Sequence, residues 1–242
     1  MRIRAKGILF SEPLLFCDGT IKELFMGRLI LIGRIKNRLY VTIILGIING
    51  TICALLDLIP ANNIWTFSSF SGYLGFWAIT GMMVVMLFEK KWMSAIGTFL
   101  YFAAMNSSFF VVHFLISPLF QYPRISELSE AFLQSAIWLI PSALCGICAL
   151  IAHCAKRDNM LGVIALSLPI GLLIYEFIAV LLSVVTNHKY LFQTVIDAWG
   201  IFLLWKMYAG EKNKFRLALV CIAVAGILLG YTFVSDGTIL YY

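Results

Sequence analysis

The sequence predicts an all-α integral membrane protein, a polytopic transmembrane bundle of about seven helices. Three observations carry that prediction. Of the 242 residues, 62% are apolar and only 12% charged, against about 45–50% and about 25% in a soluble domain. The mean hydropathy is +0.94. The apolar residues also fall into seven stretches bounded by charged or turn residues, of the length a helix needs to cross a ~30 Å hydrocarbon layer. Barrel strands would be ~10 residues long with alternating polarity, and nothing in this chain alternates. In lipid, only a helix satisfies its own backbone over such lengths.

The first 39 residues are expected to form a cytoplasmic basic leader. The apolar run Ile8–Phe16 is interrupted by Glu12-Pro13 and lacks the form of a cleavable signal. Thr20-Ile21-Lys22-Glu23 has the spacing of a capping box. It opens a segment with Ile21, Leu24, Phe25, Leu29, Ile32 and Ile35 near helical spacing and with basic residues between them. That pattern predicts an amphipathic helix lying on the membrane surface. The alternative is a leader without fixed structure, with Met26 as a second candidate start.

Residues 40–242 are expected to form a single transmembrane domain. Its predicted spans are Tyr40–Leu58, Ile64–Phe88, Trp92–Phe120, Ala131–Cys154, Met160–Val185, Tyr190–Tyr208 and Leu217–Val234. Only Thr186–Lys189 separates the fifth from the sixth, so six spans with one re-entrant segment is the alternative. Pro141 and Pro169 are expected to kink the fourth and fifth. Arg28, Arg34, Lys36, Arg38, Lys90, Lys91, Lys156, Arg157, Lys212, Lys214 and Arg216 fall on one side of these spans, and only Arg124 and Lys189 on the other. Basic residues resist translocation, which predicts N-terminus in and C-terminus out. The net charge of +6 then faces anionic lipid headgroups and requires no nucleic acid.

Small residues mark expected helix contacts. Gly46, Gly50 and Ala54 recur every four residues in the first span, beside a parallel strip of Asn49, Cys53 and Asp57. Gly72, Gly75 and Gly81 follow in the second span, and Gly226 and Gly230 repeat the spacing in the seventh.

The ionisable residues inside the spans are the best candidates for chemistry. An ion at bilayer depth costs at least ~3 kcal/mol, so it should face a partner or water. Glu176 sits in the fifth span, Asp197 in the sixth, Asp57 at the end of the first and His113 in the third, with Asn106 two turns before His113. All belong to the outer half in the predicted orientation. Adjacent fifth and sixth spans bring Glu176 and Asp197 together, with Tyr175 and Gln193 nearby. Two approaching carboxylates favour sharing a proton between them. The functional reading is an acidic cavity opening outward, holding a cation, a cationic solute or an exchangeable proton. The competing reading is that each carboxyl only locks helices together.

No H-E-x-x-H, G-x-S-x-G or P-loop pattern is present, and His113, His153 and His188 are scattered. No catalytic residue, cofactor or metal site is therefore assigned. Cys17, Cys53, Cys145, Cys148, Cys154 and Cys221 lie in spans or in the leader, where packing is the expected role. The loops leave no room for an ATPase, so ATP-driven work would need a separate subunit. The leading expectation is a small-solute or cation- or proton-coupled permease, or a membrane-embedded substrate-binding subunit. The second is an accessory or immunity-type protein docking another membrane protein through its glycine strips.

The run Gly75-Phe-Trp-Ala-Ile-Thr-Gly81, the Glu89-Lys90-Lys91 turn, Ala95 through Met105 to Phe109-Phe110, Trp138 and Glu176 resemble a family of bacterial polytopic membrane proteins of unknown function. Members often carry a tyrosine pair where Phe109-Phe110 stands here. The resemblance implies a multi-pass protein of the bacterial cytoplasmic membrane, and it draws attention to Trp77, Gly81 and Glu176.

Overall fold

The computed structural model describes residues 38–59, 64–116, 119, 125, 127–210 and 212–236. The expectations for the leader, for Arg124 and for the last six residues lie outside them. Eight α-helices are present among the described residues: α1 (Arg38–Asp57), α2 (Leu74–Met86), α3 (Lys91–Ile116), α4 (Leu128–Ile137), α5 (Leu139–Ala152), α6 (Met160–Asn187), α7 (Leu191–Tyr208) and α8 (Lys214–Asp236). Tight 3₁₀ turns at Phe67–Gly72 and His153–Lys156 join them. Five units are long and apolar enough to cross a membrane: α1, α3, α4 with α5, α6, and α8.

The seven expected spans are therefore not seven uninterrupted rods. The second breaks in two. Its Ser68-Ser69-Phe70-Ser71-Gly72 stretch is rich in residues whose side chains or freedom compete with the α-helix. It winds as a 3₁₀ turn, passes through extended Tyr73, and leaves α2 only 13 residues long. The fourth breaks at Trp138. Pro141 has no N–H to donate and its ring opposes the carbonyl four residues back, which is Ile137, the last residue of α4. Pro169, by contrast, lies inside α6 without ending it.

The basic ends of several helices meet. Arg38 Nη1 donates to Leu87 O at 3.0 Å, and its Nη2 meets Glu89 Oε1 at 3.1 Å. Lys156 Nζ donates to Phe88 O. Ser94 Oγ lies 2.7 Å from His153 Nδ1, and Lys212 Nζ lies 3.3 Å from Asp158 Oδ1. At the opposite end Leu191 N donates to Ile64 O at 2.9 Å.

Helix α2 is apolar all round and divides its faces between two cores. Ile79 and Met82 pack with Leu166, Ile170, Leu173, Leu204 and Cys221 of α6, α7 and α8. Phe76, Val84 and Phe88 pack with Cys53, Tyr101, Phe102 and Met105 of α1 and α3. Apolar residues on more than one side give α2 two packed faces, while Leu74 stays exposed.

The glycine strips divide in the same physical terms. A Cβ on Gly46 or Gly50 would run into the backbone carbonyl oxygens of Tyr101 and Met105, and Ala54 is fully buried beside them. Absence of a side chain is what lets α1 and α3 touch backbone to backbone. Gly81 is looser, with Phe102 ring atoms 3.5 Å from its Cβ position. Gly72, Gly226 and Gly230 correct the expectation: a Cβ there would meet nothing within 4 Å, so none of the three holds helices together inside this chain. The i, i+4 spacing is the same; only the presence of a facing helix differs.

Gly50→Ala should therefore force α1 from α3 and lower stability by about 1–3 kcal/mol. Gly226→Ala should fall within about 0.5 kcal/mol of the parent protein. Thermal unfolding in detergent compares the two, and equal losses would refute the α1–α3 contact.

Candidate functional site

Helix α6 starts cleanly because the Asn159 side chain accepts from Gly162 N at 3.0 Å, satisfying one of the free amides of a helix start. It ends where His188 adopts left-handed backbone, φ 53°, with its N–H bonded to Val184 O. Tyr190, φ 69°, is also left-handed, and its N–H donates to Thr66 Oγ1 at 3.2 Å. This three-residue reversal, tied to the segment before α2, folds α7 back along α6.

The reversal brings the two deep carboxylates to one amide. Gln193 and Asp197 are one turn apart on α7 and share a face. Gln193 Nε2 donates to Asp197 Oδ1 at 2.7 Å and to Glu176 Oε1 at 3.0 Å. Those two lengths bound the separation of the carboxyl oxygens. The other oxygen of Glu176 accepts from Gly75 N at 2.9 Å. Leu74 and Gly75 are the first two residues of α2, whose N-cap, Tyr73, supplies no side-chain hydrogen bond. Glu176 thus caps α2 from another helix, placing negative charge at the positive end of its dipole.

Gly75 has a role the sequence does not announce. A Cβ there would lie 2.5 Å from Asp197 Oδ1, 2.9 Å from Leu173 Cδ2 and 3.0 Å from Glu176 Oε1. Its missing side chain is the space in which the carboxyls sit. Around the starts of α2 and α7, Phe70 packs against Phe76 at 4.5 Å and Phe192 at 5.2 Å, and Phe67 against Phe192 at 4.7 Å. Glu176 is 6% exposed and Asp197 0%. The expected outward-opening cavity is corrected accordingly: the pair is enclosed by packed aromatic and aliphatic groups. At this site Asp197 Oδ2 and Gln193 Oε1 find no hydrogen-bond partner among the described residues.

No family model, curated protein or solved structure matches the chain. Its functional reading therefore rests on the geometry.

The remaining candidates gather elsewhere. Asp57 Oδ2 and His113 Nε2 approach to 3.1 Å, joining the end of α1 to α3, and the imidazole packs on Phe109 at 4.5 Å. Asn106 Nδ2 donates to Ser142 Oγ at 3.1 Å, and that hydroxyl donates to Trp138 O. It therefore ties α3 to α5 at the break. Tyr175 is half-buried and, one residue before Glu176, lies about 100° around α6. Sequence reasoning marks Gln193 only as a neighbour and reads Gly75 as a packing residue. The signal for both is the Ser71-Gly72-Tyr73 turn, which starts a helix inside an apolar stretch and so demands an acceptor there.

Glu176→Gln retains an oxygen for the Gly75 amide and should leave unfolding close to that of the parent protein. Glu176→Leu should remove about 1–3 kcal/mol, the penalty for buried amides left without a partner. Equal unfolding temperatures for the two variants would show that the cap contributes nothing.

Proposed function

We propose that this chain is a proton-coupled small-solute permease, or the membrane-embedded substrate-binding subunit of one. In this reading the Glu176–Asp197 pair holds one exchangeable proton or a monovalent cation. The observation that carries it is the unpartnered Asp197 Oδ2 beside two carboxyls held by a single amide. Two negative charges side by side and away from water repel each other and lose hydration. A proton on Asp197 removes one charge and converts an unsatisfied acceptor into a donor.

Coupling follows from the cap. The α2 amides need an acceptor, and Glu176 supplies one to Gly75. A proton moving onto Glu176 weakens that acceptor and loosens α2, while an anionic solute group can take its place. Helix starts inside a broken span serve transporters in this way.

The membrane arrangement belongs to the same proposal. Arg38, Lys90, Lys91, Lys156, Arg157 and Lys212 crowd one end, and that end faces the cytoplasm of a bacterial cell. α7 and the 3₁₀–α2 unit complete seven crossings, with N-terminus in and C-terminus out.

A second reading, a docking protein, is favoured by one observation. Gly226 and Gly230 are exposed on α8, the least buried of the five long units, and so are free to meet another membrane helix.

Infrared titration of the purified chain separates the two. The first reading expects a protonated-carboxyl band that shifts in heavy water and is lost in Glu176→Gln and in Asp197→Asn. Absence of such a band, or its persistence in both variants, rejects it. The docking reading instead expects Gly226→Leu with Gly230→Leu to shrink the complex seen on native gels from intact membranes, with the carboxyls unaffected.

A further inference from the structure

An apolar crevice of about 350 Å³ lies between α2, α3, α5 and α6, with no carboxylate in its lining. Leu74, Trp77, Ala78, Gly81, Met82 and Val85 form one continuous stripe of α2 along its wall. At ~1.5 Å per residue that stripe is about 16 Å long. Its rim residues Leu74, Cys148, Ile151 and Leu168 are exposed, so the crevice opens on the outer surface of the bundle.

One end of the crevice runs into the basic end of the protein. Val85 lines it, and two and three residues further on the carbonyls of Leu87 and Phe88 receive Arg38 and Lys156. Ala152 lines it from α5, and His153 follows directly. The charges of Lys156, Arg157 and Lys91 all bear on His153. Lys90, Lys91 and Arg157 are exposed, and the acidic Glu89 is engaged by Arg38. Arg38, Lys90, Lys91, Lys156 and Arg157 outnumber Glu89 there, and Asp158 is met by Lys212, so positive charge predominates at the mouth of an apolar slot.

We propose that this slot is a binding site for one anionic phospholipid, with an acyl chain in the crevice and the phosphate group on Lys91, Lys156 and Arg157. A lipid tail is as apolar as the crevice wall, so burial alone selects no particular lipid. The basic cluster selects, because a cationic pocket between membrane helices favours an anionic headgroup. Leu74, at the start of α2, borders both sites, but Ala78, Lys91, Cys148 and Arg157 belong to the crevice side alone, so variants at those positions test this assignment separately.

The test is native mass spectrometry of the full chain in nonionic detergent, with phosphatidylglycerol and phosphatidylcholine supplied in equal amounts. The wild-type chain should retain one phosphatidylglycerol in preference to phosphatidylcholine. Lys91→Gln with Arg157→Gln, both exposed, should lower that preference about 10- to 30-fold. Ala78→Leu from α2 and Cys148→Leu from α5 fill the slot independently, and each should abolish retention at unchanged helicity and elution volume. Equal retention of the two lipids by the wild type overturns the proposal. So does retention unchanged by both slot-filling variants, or loss confined to the charge variant, which would mean association at the surface alone.

Discussion

A helix that begins inside an apolar bundle exposes amides that neither its own turns nor water can satisfy. The start of α2 is such a place, and Glu176 answers it from α6. Much else in the centre of the protein follows from that one contact. Gln193 reaches the same carboxyl and couples α7 to it. Gly75 has no side chain because the carboxyls fill its space. The aromatic residues around Phe70 and Phe192 pack close by, so the polar group is enclosed in a medium where its hydrogen bonds are strong and their loss is costly.

The same contact lies at the seam between two packed regions. On one side α1 and α3 meet through Gly46 and Gly50, fixed further by Asp57 with His113 and by Asn49 with Tyr101 at 2.6 Å. On the other, α6, α7 and α8 enclose Leu166, Leu204 and Cys221. α2 contributes side chains to both. A shift of α2 along its axis is therefore felt in both regions at once, because close-packed interiors transmit displacement rather than absorb it.

The all-helical character and the identity of the deep carboxyls are legible in the amino-acid sequence, because both follow from the free energy of placing groups in lipid. Glu176 and Asp197 are expected to meet, and they do, since a short reversal leaves α7 no neighbour closer than α6. Hydropathy is blind to hydrogen bonding, however, and so it reads 64–88 as one rod where the backbone breaks at Tyr73. Spacing is equally blind to what lies opposite. Gly46 with Gly50 and Gly226 with Gly230 are the same pattern, yet only the first pair faces another helix. Asp57 and His113 meet at 3.1 Å, a pairing between distant parts of the chain that spacing along one helix does not reveal.

Helix α2 is held at both ends by side chains from elsewhere: Glu176 at its amides, Arg38 and Lys156 at the carbonyls that follow it. Two of those three residues are synthesised long after α2 itself. A ribosome delivers the chain from its N-terminus, so 74–86 leaves the exit tunnel with its starting amides unmatched and must wait, shielded by the insertion machinery or lying at the headgroup layer, until residue 176 arrives. Membrane integration of this protein is thus completed from behind, and truncation between α2 and α6 strands a segment that has already been made.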